Sequence, residues 1–328
     1  MSSPVISAWF RRALTGGPTV VAVLLFALMY GIYAERTSAA TTVFGITNLL
    51  NDAIVLAIAA AGVTLVVLTG EFDLSGVGVI AITNCVVATT STSGDYGWLS
   101  SLAVVLAIGA GVGLINGLLV AGLGLQSLAV TIGTMIGCEG AALLILSAPG
   151  GEVADAIANG LTGNLFSVVP VAAVILAGLC AVWLVFKRTR LGIAVFAIGA
   201  DASAARLSGV NERRTRLAAF LIAGLCYAAA GYMLSAQTGT GDPRANDSLL
   251  LFMYASVAIG GTSLMGGRGG VVGTIVGAGI LTVMQKMLFA LGVAEFCTEV
   301  FNGVIMIVAL LIGNVSAALA QQIRRRAA

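Results

Sequence analysis

The sequence predicts an all-α, polytopic membrane protein with about ten transmembrane helices. Of its 328 residues, 59% are hydrophobic and only 9% are charged, whereas about 25% of the residues in an ordinary soluble domain are charged. The apolar residues also form long runs, and a helix that crosses the hydrocarbon of a bilayer needs about 20 of them. This composition excludes a soluble enzyme, a disordered regulator and a nucleic-acid-binding protein.

Ten apolar runs are suitable for membrane spans. The eighth run is short and ends in a glycine-rich stretch. The third run begins within a polar turn at 69–76. We therefore expect broken or re-entrant helices there, which membranes tolerate where protein or a water-filled cavity covers the backbone. The ten runs are Pro18–Ala34, Leu49–Leu68, Leu74–Thr90, Trp98–Val120, Gln126–Leu146, Val168–Phe186, Leu217–Ala236, Ser248–Gly261, Val271–Leu288 and Phe296–Ile312.

The distribution of basic residues indicates that both termini lie in the cytoplasm. With ten spans in this orientation, all 16 lysines and arginines except Arg36, Arg244 and Lys286 fall on the inner side. This is the bias that the positive-inside rule describes. Nine or eleven spans would place the two basic clusters, within 187–216 and 324–326, on opposite sides of the membrane.

The span count also predicts how the chain is organised. Residues 1–328 form one transmembrane domain, with a first half at 18–146 and a second half at 168–312. Each half has five spans, an odd number, so the halves have opposite orientations, as inverted repeats do. The longest polar segment on the inner side is 187–216.

Several kinds of chemistry are excluded by residues that the chain lacks. It contains no histidine, which removes His-based acid–base catalysis and His–metal sites. Neither Lys187 nor Lys286 belongs to a phosphate-binding loop of the GxxxxGK[ST] type, and the cysteines form no CxxC pair. We therefore predict no catalytic residue, no metal site and no cofactor bound by this chain.

Polar residues within the spans are candidates for a solute path. A charged Glu139 near the middle of span five would cost about 2.5–3.5 kcal/mol in lipid, so it faces protein or water; a role in the path and a role in packing both remain open. Asp73 and Ser75 are well suited to capping the third helix, which favours a structural role. The candidates for the path are Asp73, Ser75, Asn84, Asn116, Glu139 and Asn302.

Two further patterns concern contacts. The composition of Asp201–Leu207 favours a short helix, and Ser208 and Gly209 are residue types that end helices. We expect this helix on the inner face of the protein, either as a docking element for a soluble protein or as a plain surface helix. Glycines recur every four residues in span four, and small residues let membrane helices approach closely. We interpret Gly109, Gly113 and Gly117 as a helix-packing face.

Four segments resemble the permease subunits of ATP-binding-cassette importers for ribose and related simple sugars, a family that extends to branched-chain amino acid permeases. The resemblance runs from about Thr47 to the end of the chain. The matching segments are Gly70–Ser75, Thr131–Met135, Arg188–Gly192 with Ala197–Gly199 and Ala204–Val210, and Ile259–Gly269.

The resemblance implies a function that composition alone does not indicate. A permease of this family sits in the bacterial inner membrane, pairs with a second permease copy (identical or paralogous) and admits a small polar solute such as a monosaccharide or polyol. A periplasmic or surface-tethered binding protein delivers the solute, and a cytosolic ATPase uses ATP and magnesium. The residues implied to contact the ATPase are Asp201, Ala204, Ala205, Arg206, Leu207, Ser208 and Gly209.

An ion-coupled secondary transporter and an intramembrane enzyme are the alternatives to an importer permease. An ion-coupled secondary transporter would need paired intramembrane charges, and Glu139 is the one strong candidate that the spans contain. An intramembrane enzyme would need a nucleophile with a base, or a metal, and the sequence has no such constellation.

Overall fold

The computed structural model describes residues 18–244 and 248–293, together with residues 300 and 303. This part of the chain is almost entirely helical, as the composition predicts. Two two-residue strands, β1 (Asn164–Leu165) and β2 (Val169–Pro170), pair antiparallel. The helices are α1 (Pro18–Arg36), α2 (Val43–Leu68), α3 (Gly76–Thr90), α4 (Gly97–Gly117), α5 (Ser127–Ile145), α6 (Asp155–Thr162), α7 (Val171–Phe186), α8 (Arg190–Ala200), α9 (Ala202–Leu207), α10 (Glu212–Thr238), α11 (Leu249–Ile259) and α12 (Val271–Ala290).

The predicted polytopic membrane fold is confirmed. Within the described residues, α1, α2, α4, α5, α10 and α12 are long and apolar enough to cross a membrane, and α7 with α8 makes a seventh candidate that bends by 77° at its break. The first nine predicted spans each overlap one helix. The tenth, Phe296–Ile312, lies outside the described residues, so the count of ten and the inverted repeat stay predictions.

Some predicted boundaries were wrong. α2 begins at Val43 because Thr42 caps it, accepting the Gly45 amide at 3.1 Å. α3 begins at Gly76 and is only 15 residues long, and α11 has 11 residues, so both interrupted spans are shorter than the apolar runs that predict them. The segment 148–167 contains α6, which was not predicted because its eight residues are too few for a clear pattern.

The core of the bundle surrounds α2. Every residue from Ala53 to Leu68 is buried, as expected for a helix that is apolar on all sides. α2 packs against α10, α11 and α12. A hydrogen bond between the Thr64 and Thr274 hydroxyls (2.7 Å) joins α2 to α12 in the interior.

Glycines bring the backbones of α4 and α10 into contact. A Cβ atom added to Gly113 would lie 3.0 Å from the Cα of Leu221, and one added to Gly117 would lie 3.0 Å from the Cα of Leu217. From the other side, a Cβ at Gly224 would lie 3.1 Å from the Cα of Gly113. The packing face predicted from the four-residue spacing is confirmed, since close approach of the backbones requires residues without side chains.

Candidate functional site

A short helix, α9, lies within the basic segment 187–216. The Asp201 carboxylate caps it by accepting hydrogen bonds from the backbone amides of Ser203 (2.9 Å) and Ala204 (3.0 Å). The helix ends before Gly209, which has a φ of 82° and so takes the left-handed conformation that closes many helices. The predicted helix is confirmed, and its ends are set by the two residue types expected there.

α9 presents most of its side chains to the surroundings. Ala205 is buried and holds the helix against the protein, while Leu207 is 92% exposed. Met265, in the glycine-rich loop that precedes α12, is 87% exposed. Exposed apolar side chains beside charged ones give this face the mixed character that is typical of protein contacts.

The glycine-rich loop packs against the end of α8 and the end of α2. The amide of Gly267 donates to the Leu68 carbonyl (3.0 Å). A Cβ at Gly267 would lie 2.6 Å from the Ala200 nitrogen, and one at Gly266 would lie 3.0 Å from the Gly70 nitrogen. Three separate segments that carry the sequence resemblance therefore meet at one place, and glycine is required because the backbones touch.

Four charged side chains connect α9 with the start of α10 and the connection before α3. Arg206 pairs with Glu212 (Nε to Oε2, 3.4 Å). Arg216 pairs with Glu212 (Nη2 to Oε1, 3.1 Å) and with Glu71 (Nη1 to Oε1, 2.7 Å). The Glu71 and Arg216 side chains are 16% and 22% exposed, so this pair is less screened by solvent than an ordinary surface pair.

Three of the candidate path residues form one buried hydrogen-bond network. The Ser75 hydroxyl donates to the Asp73 carboxylate (2.6 Å), and the Ser75 amide donates to the same oxygen (3.0 Å). The Asn116 side-chain amide donates to the Ser75 hydroxyl (2.9 Å). Asp73, Ser75 and Asn116 are each no more than 1% exposed, so the network fastens the start of α3 to α4.

Two aromatic residues, Tyr254 of α11 and Phe72 of the α2–α3 connection, pack beside this network. The Tyr254 hydroxyl accepts from the Asp73 amide (3.0 Å) and donates to the Asp73 carbonyl (3.1 Å). The Phe72 ring stacks on Tyr254 at 6.0 Å between centroids. Burial raises the pKa of the Asp73 carboxyl to about 6, although its hydrogen bonds with Ser75 act in the opposite direction. Asp73 is thus held in place by contacts with both its backbone and its side chain.

Asn84 belongs to a different network. Its side-chain amide donates to the Ser235 hydroxyl (2.9 Å) and the Thr240 carbonyl (3.1 Å), and its side-chain carbonyl accepts from the Asp242 amide (2.7 Å). These bonds tie α3 to the end of α10 and to the connection that follows α10. Asn84 therefore belongs to a network separate from that of Asp73, about two turns after the start of α3.

A family match extends over most of this chain. Residues 45–310 match the model of the branched-chain amino acid transport system permease component, and the match covers nearly all the helices described above. The chain belongs to this permease family. This permease is accordingly a multi-pass membrane transport component without a catalytic activity of its own.

Several named relatives of this permease are sugar permeases. The chain is 31% identical over 284 residues to the ribose import permease protein RbsC of Escherichia coli, covering 83% of this chain and 86% of that protein. It is 33% identical over 263 residues to the fructose import permease protein FruF of Bifidobacterium longum, covering 76% and 71%. It is 33% identical over 312 residues to the galactofuranose transporter permease protein YtfT of Escherichia coli, covering 91% and 89%. No solved structure gives a significant match.

Two candidates for the path remain. Glu139 is half-buried on α5, and Asn302 lies outside the described residues. Across residues 18–244 and 248–293, no group of three histidine, cysteine, aspartate or glutamate side chains is placed to hold a metal ion. The hydrogen bonds of the described residues place Asp73, Ser75 and Asn116 in one network and Asn84 in another, and the role of all six candidates in the path stays a prediction.

Sequence reasoning missed the charged side chains that anchor α9. Glu212 and Arg216 are spaced i, i+4, which is a recognisable helical pair, so their contact was available from the sequence. The pairing of Arg216 with Glu71 was not, because 145 residues separate them and only the packing of α10 beside the α2–α3 connection brings them together.

The buried network of this permease makes a testable contribution to its stability. Replacing Ser75 with alanine is expected to lower the free energy of unfolding by about 1–3 kcal/mol, since Asp73 loses a donor and the buried Asn116 amide loses its acceptor. Thermal unfolding of the purified protein in detergent measures this loss. The matched control is Ser93→Ala at an exposed serine of the α3–α4 connection; equal midpoints for the two variants would contradict the prediction.

Proposed function

We propose that this permease is the membrane-spanning subunit of an ATP-binding-cassette importer for a monosaccharide or a related polyol. The relatives named for ribose, fructose and galactofuranose support the substrate class, because each matches most of the chain. A separate binding protein delivers the solute from outside. A separate ATPase on the cytoplasmic side binds ATP and magnesium, and this chain binds neither.

The observation that carries the proposal is the exposed helix α9. It is capped at Asp201, it is held to the protein by Ala205, and it presents Leu207 and Arg206 outward. Such a helix can move as one piece when a soluble partner presses on it. The ATPase contact then comprises Asp201, Ala204, Ala205, Arg206, Leu207, Ser208 and Gly209.

We place α9 and both chain termini in the cytoplasm of a bacterial cell, in its inner membrane. The basic residues around α8 and α9 support this orientation, since cytoplasmic connections carry an excess of lysine and arginine. The importer then works by alternating access: nucleotide favours one of two permease states because it binds the complex more tightly in that state.

A second permease copy fits against α5. Among the described residues, this helix packs mainly on α3 and its other side is uncovered, with Ile136 59% exposed. A Cβ at Gly133, Gly137 or Gly140 would meet no described atom within 4 Å, so a partner helix can approach closely there. Glu139 lies on the same helix, and we propose that it lines a solute path between the two copies.

The Asp73 network controls the part of the path inside one copy. Asp73, Ser75 and Asn116 are buried in this conformation, so solute reaches them only when the start of α3 moves relative to α4. We propose that they act in this movement, together with Asn84 near the middle of α3. Asn302 is retained as a candidate on the strength of the sequence.

Reconstitution tests the proposal directly. The permease is assembled with its ATPase in proteoliposomes, with ATP on the side of α9 and radiolabelled ribose, fructose or galactose with the binding protein on the other side. We expect ATP-dependent accumulation of at least one sugar that ionophores do not abolish. Accumulation by the permease alone, driven by a proton or sodium gradient, would instead establish an ion-coupled secondary transporter.

A further inference from the structure

The ion pairs around Arg216 form a continuous connection from α9 to the start of α3. They run from Arg206 to Glu212 (3.4 Å), from Glu212 to Arg216 (3.1 Å) and from Arg216 to Glu71 (2.7 Å). Exposure falls along the series, from 61% for the Arg206 side chain to 16% for that of Glu71. The connection therefore begins at the protein surface and ends inside the bundle.

Arg216 is the centre of this connection because of its shape. A guanidinium group is planar and presents several donors in a fixed fork. In Arg216, one terminal nitrogen contacts Glu212 of α10 and the other contacts Glu71 of the α2–α3 connection. Since both contacts are made by one rigid group, a displacement of the start of α10 also displaces Glu71.

Glu71 is close to the residues that hold α3. Two residues after it, Asp73 is tied to Tyr254 of α11 and to Ser75. One residue before it, Gly70 has a φ of 84° and its backbone packs against Gly266 of the glycine-rich loop. Glycine takes this left-handed conformation without the steric penalty of a side chain, so the chain can turn immediately before Glu71.

We propose that Arg216 and Glu71 are positioning residues that transmit displacement of α9 to the start of α3 and so to the buried Asp73 network. This inference rests on the proposed function, in which the ATPase displaces α9. Neither residue contacts solute or nucleotide. Their role is mechanical: the charges keep the α2–α3 connection attached to α10, so the two move together.

Hydrogen–deuterium exchange tests the transmission without knowledge of the solute. The full permease is assembled with its ATPase in nanodiscs, and exchange is compared without nucleotide and with ATP plus vanadate. In the wild type we expect nucleotide to change exchange in peptides covering 201–209 and in those covering 69–76. In Glu71→Gln and Arg216→Gln we expect the change at 201–209 to persist and the change at 69–76 to fall at least threefold.

Conservative variants separate charge from geometry. Glu71→Asp keeps the carboxylate and is expected to retain at least half of the response at 69–76. Arg216→Lys keeps the charge but loses the fork, so it is expected to behave like Arg216→Gln and provides the test if Glu71→Gln fails to assemble. Arg214→Gln, at an exposed arginine of the same helix, is the matched control and should respond like the wild type.

Two results would overturn the proposal, and they are distinguishable. A full response at 69–76 in Glu71→Gln and Arg216→Lys, with the change at 201–209 present, would show that movement reaches α3 by another route while the proposed function stands. No nucleotide-dependent change at 201–209 in the wild type would show that the ATPase does not act on α9, and both proposals would then be wrong.

Discussion

Replacing Leu207 with aspartate is expected to reduce ATP-driven sugar uptake at least tenfold without unfolding the permease. Leu207 is 92% exposed, so it contributes little to the fold of the isolated chain. Burying a leucine against a partner contributes about 1.5–3 kcal/mol, and each 1.4 kcal/mol corresponds to a factor of ten in binding. A carboxylate at this position would also be desolvated without a partner charge, which weakens the contact further.

Co-purification and uptake measure this effect together. The Leu207→Asp protein should have an unchanged thermal midpoint but should lose most of the ATPase that co-purifies with the wild type. Leu207→Met is the matched control, because methionine keeps the apolar surface and is tolerated at adaptable contacts. If Leu207→Asp retained the bound ATPase and normal uptake, α9 would not be the docking element.

Replacing Gly113 with valine is expected to be the most destabilising of the substitutions considered. A Cβ at this position would already lie 3.0 Å from the Cα of Leu221 and would approach the Phe220 carbonyl more closely still. These are backbone atoms, which cannot rotate away, so α4 and α10 must separate. Overpacking typically costs about 1–3 kcal/mol, and the branched valine at a backbone contact should reach at least the upper end of that range.

Gly111→Val is the matched control for this prediction. Gly111 lies on the same helix, two residues away, and a Cβ there would meet nothing within 4 Å. Both variants replace glycine with valine in the same helix, so the changes in helix propensity and in side-chain hydrophobicity are the same. A difference between their unfolding midpoints in detergent therefore reports packing alone. Equal midpoints would mean that α4 and α10 are not held together at Gly113.

The spans could be predicted because apolar length is a property of each segment by itself. A helix needs about 20 apolar residues to cross the membrane, whichever helices lie beside it. The first nine runs could therefore be located without knowing how the helices pack. The exceptions have a physical cause. α3 begins only at Gly76 because Asp73 and Ser75 hydrogen-bond to each other before it. α11 ends at Ile259 because Gly260 packs against the Gly273 backbone and Gly261 takes the left-handed conformation.

The candidate site was only partly predictable. α9 was foreseen, since Asp201 and Gly209 are local signals for a helix start and end. The polar path residues were proposed as one set, but the structure divides them: Asp73, Ser75 and Asn116 share a network, whereas Asn84 joins Ser235 and Thr240. Residue type alone does not indicate which buried polar groups satisfy one another, because hydrogen bonding depends on which helices lie side by side.

By itself, the sequence determined that this protein is a helical membrane permease, that a short helix follows the capping residue Asp201, and that Gly109, Gly113 and Gly117 face another helix. Only the tertiary structure decided that this other helix is α10, that Asn116 completes the Asp73 network, and that Arg216 joins Glu212 to Glu71. The physical reason is the distance along the chain over which each interaction acts. Apolar length, capping and glycine spacing act within a few residues, whereas hydrogen bonds and ion pairs between helices depend on packing that joins residues far apart in the chain.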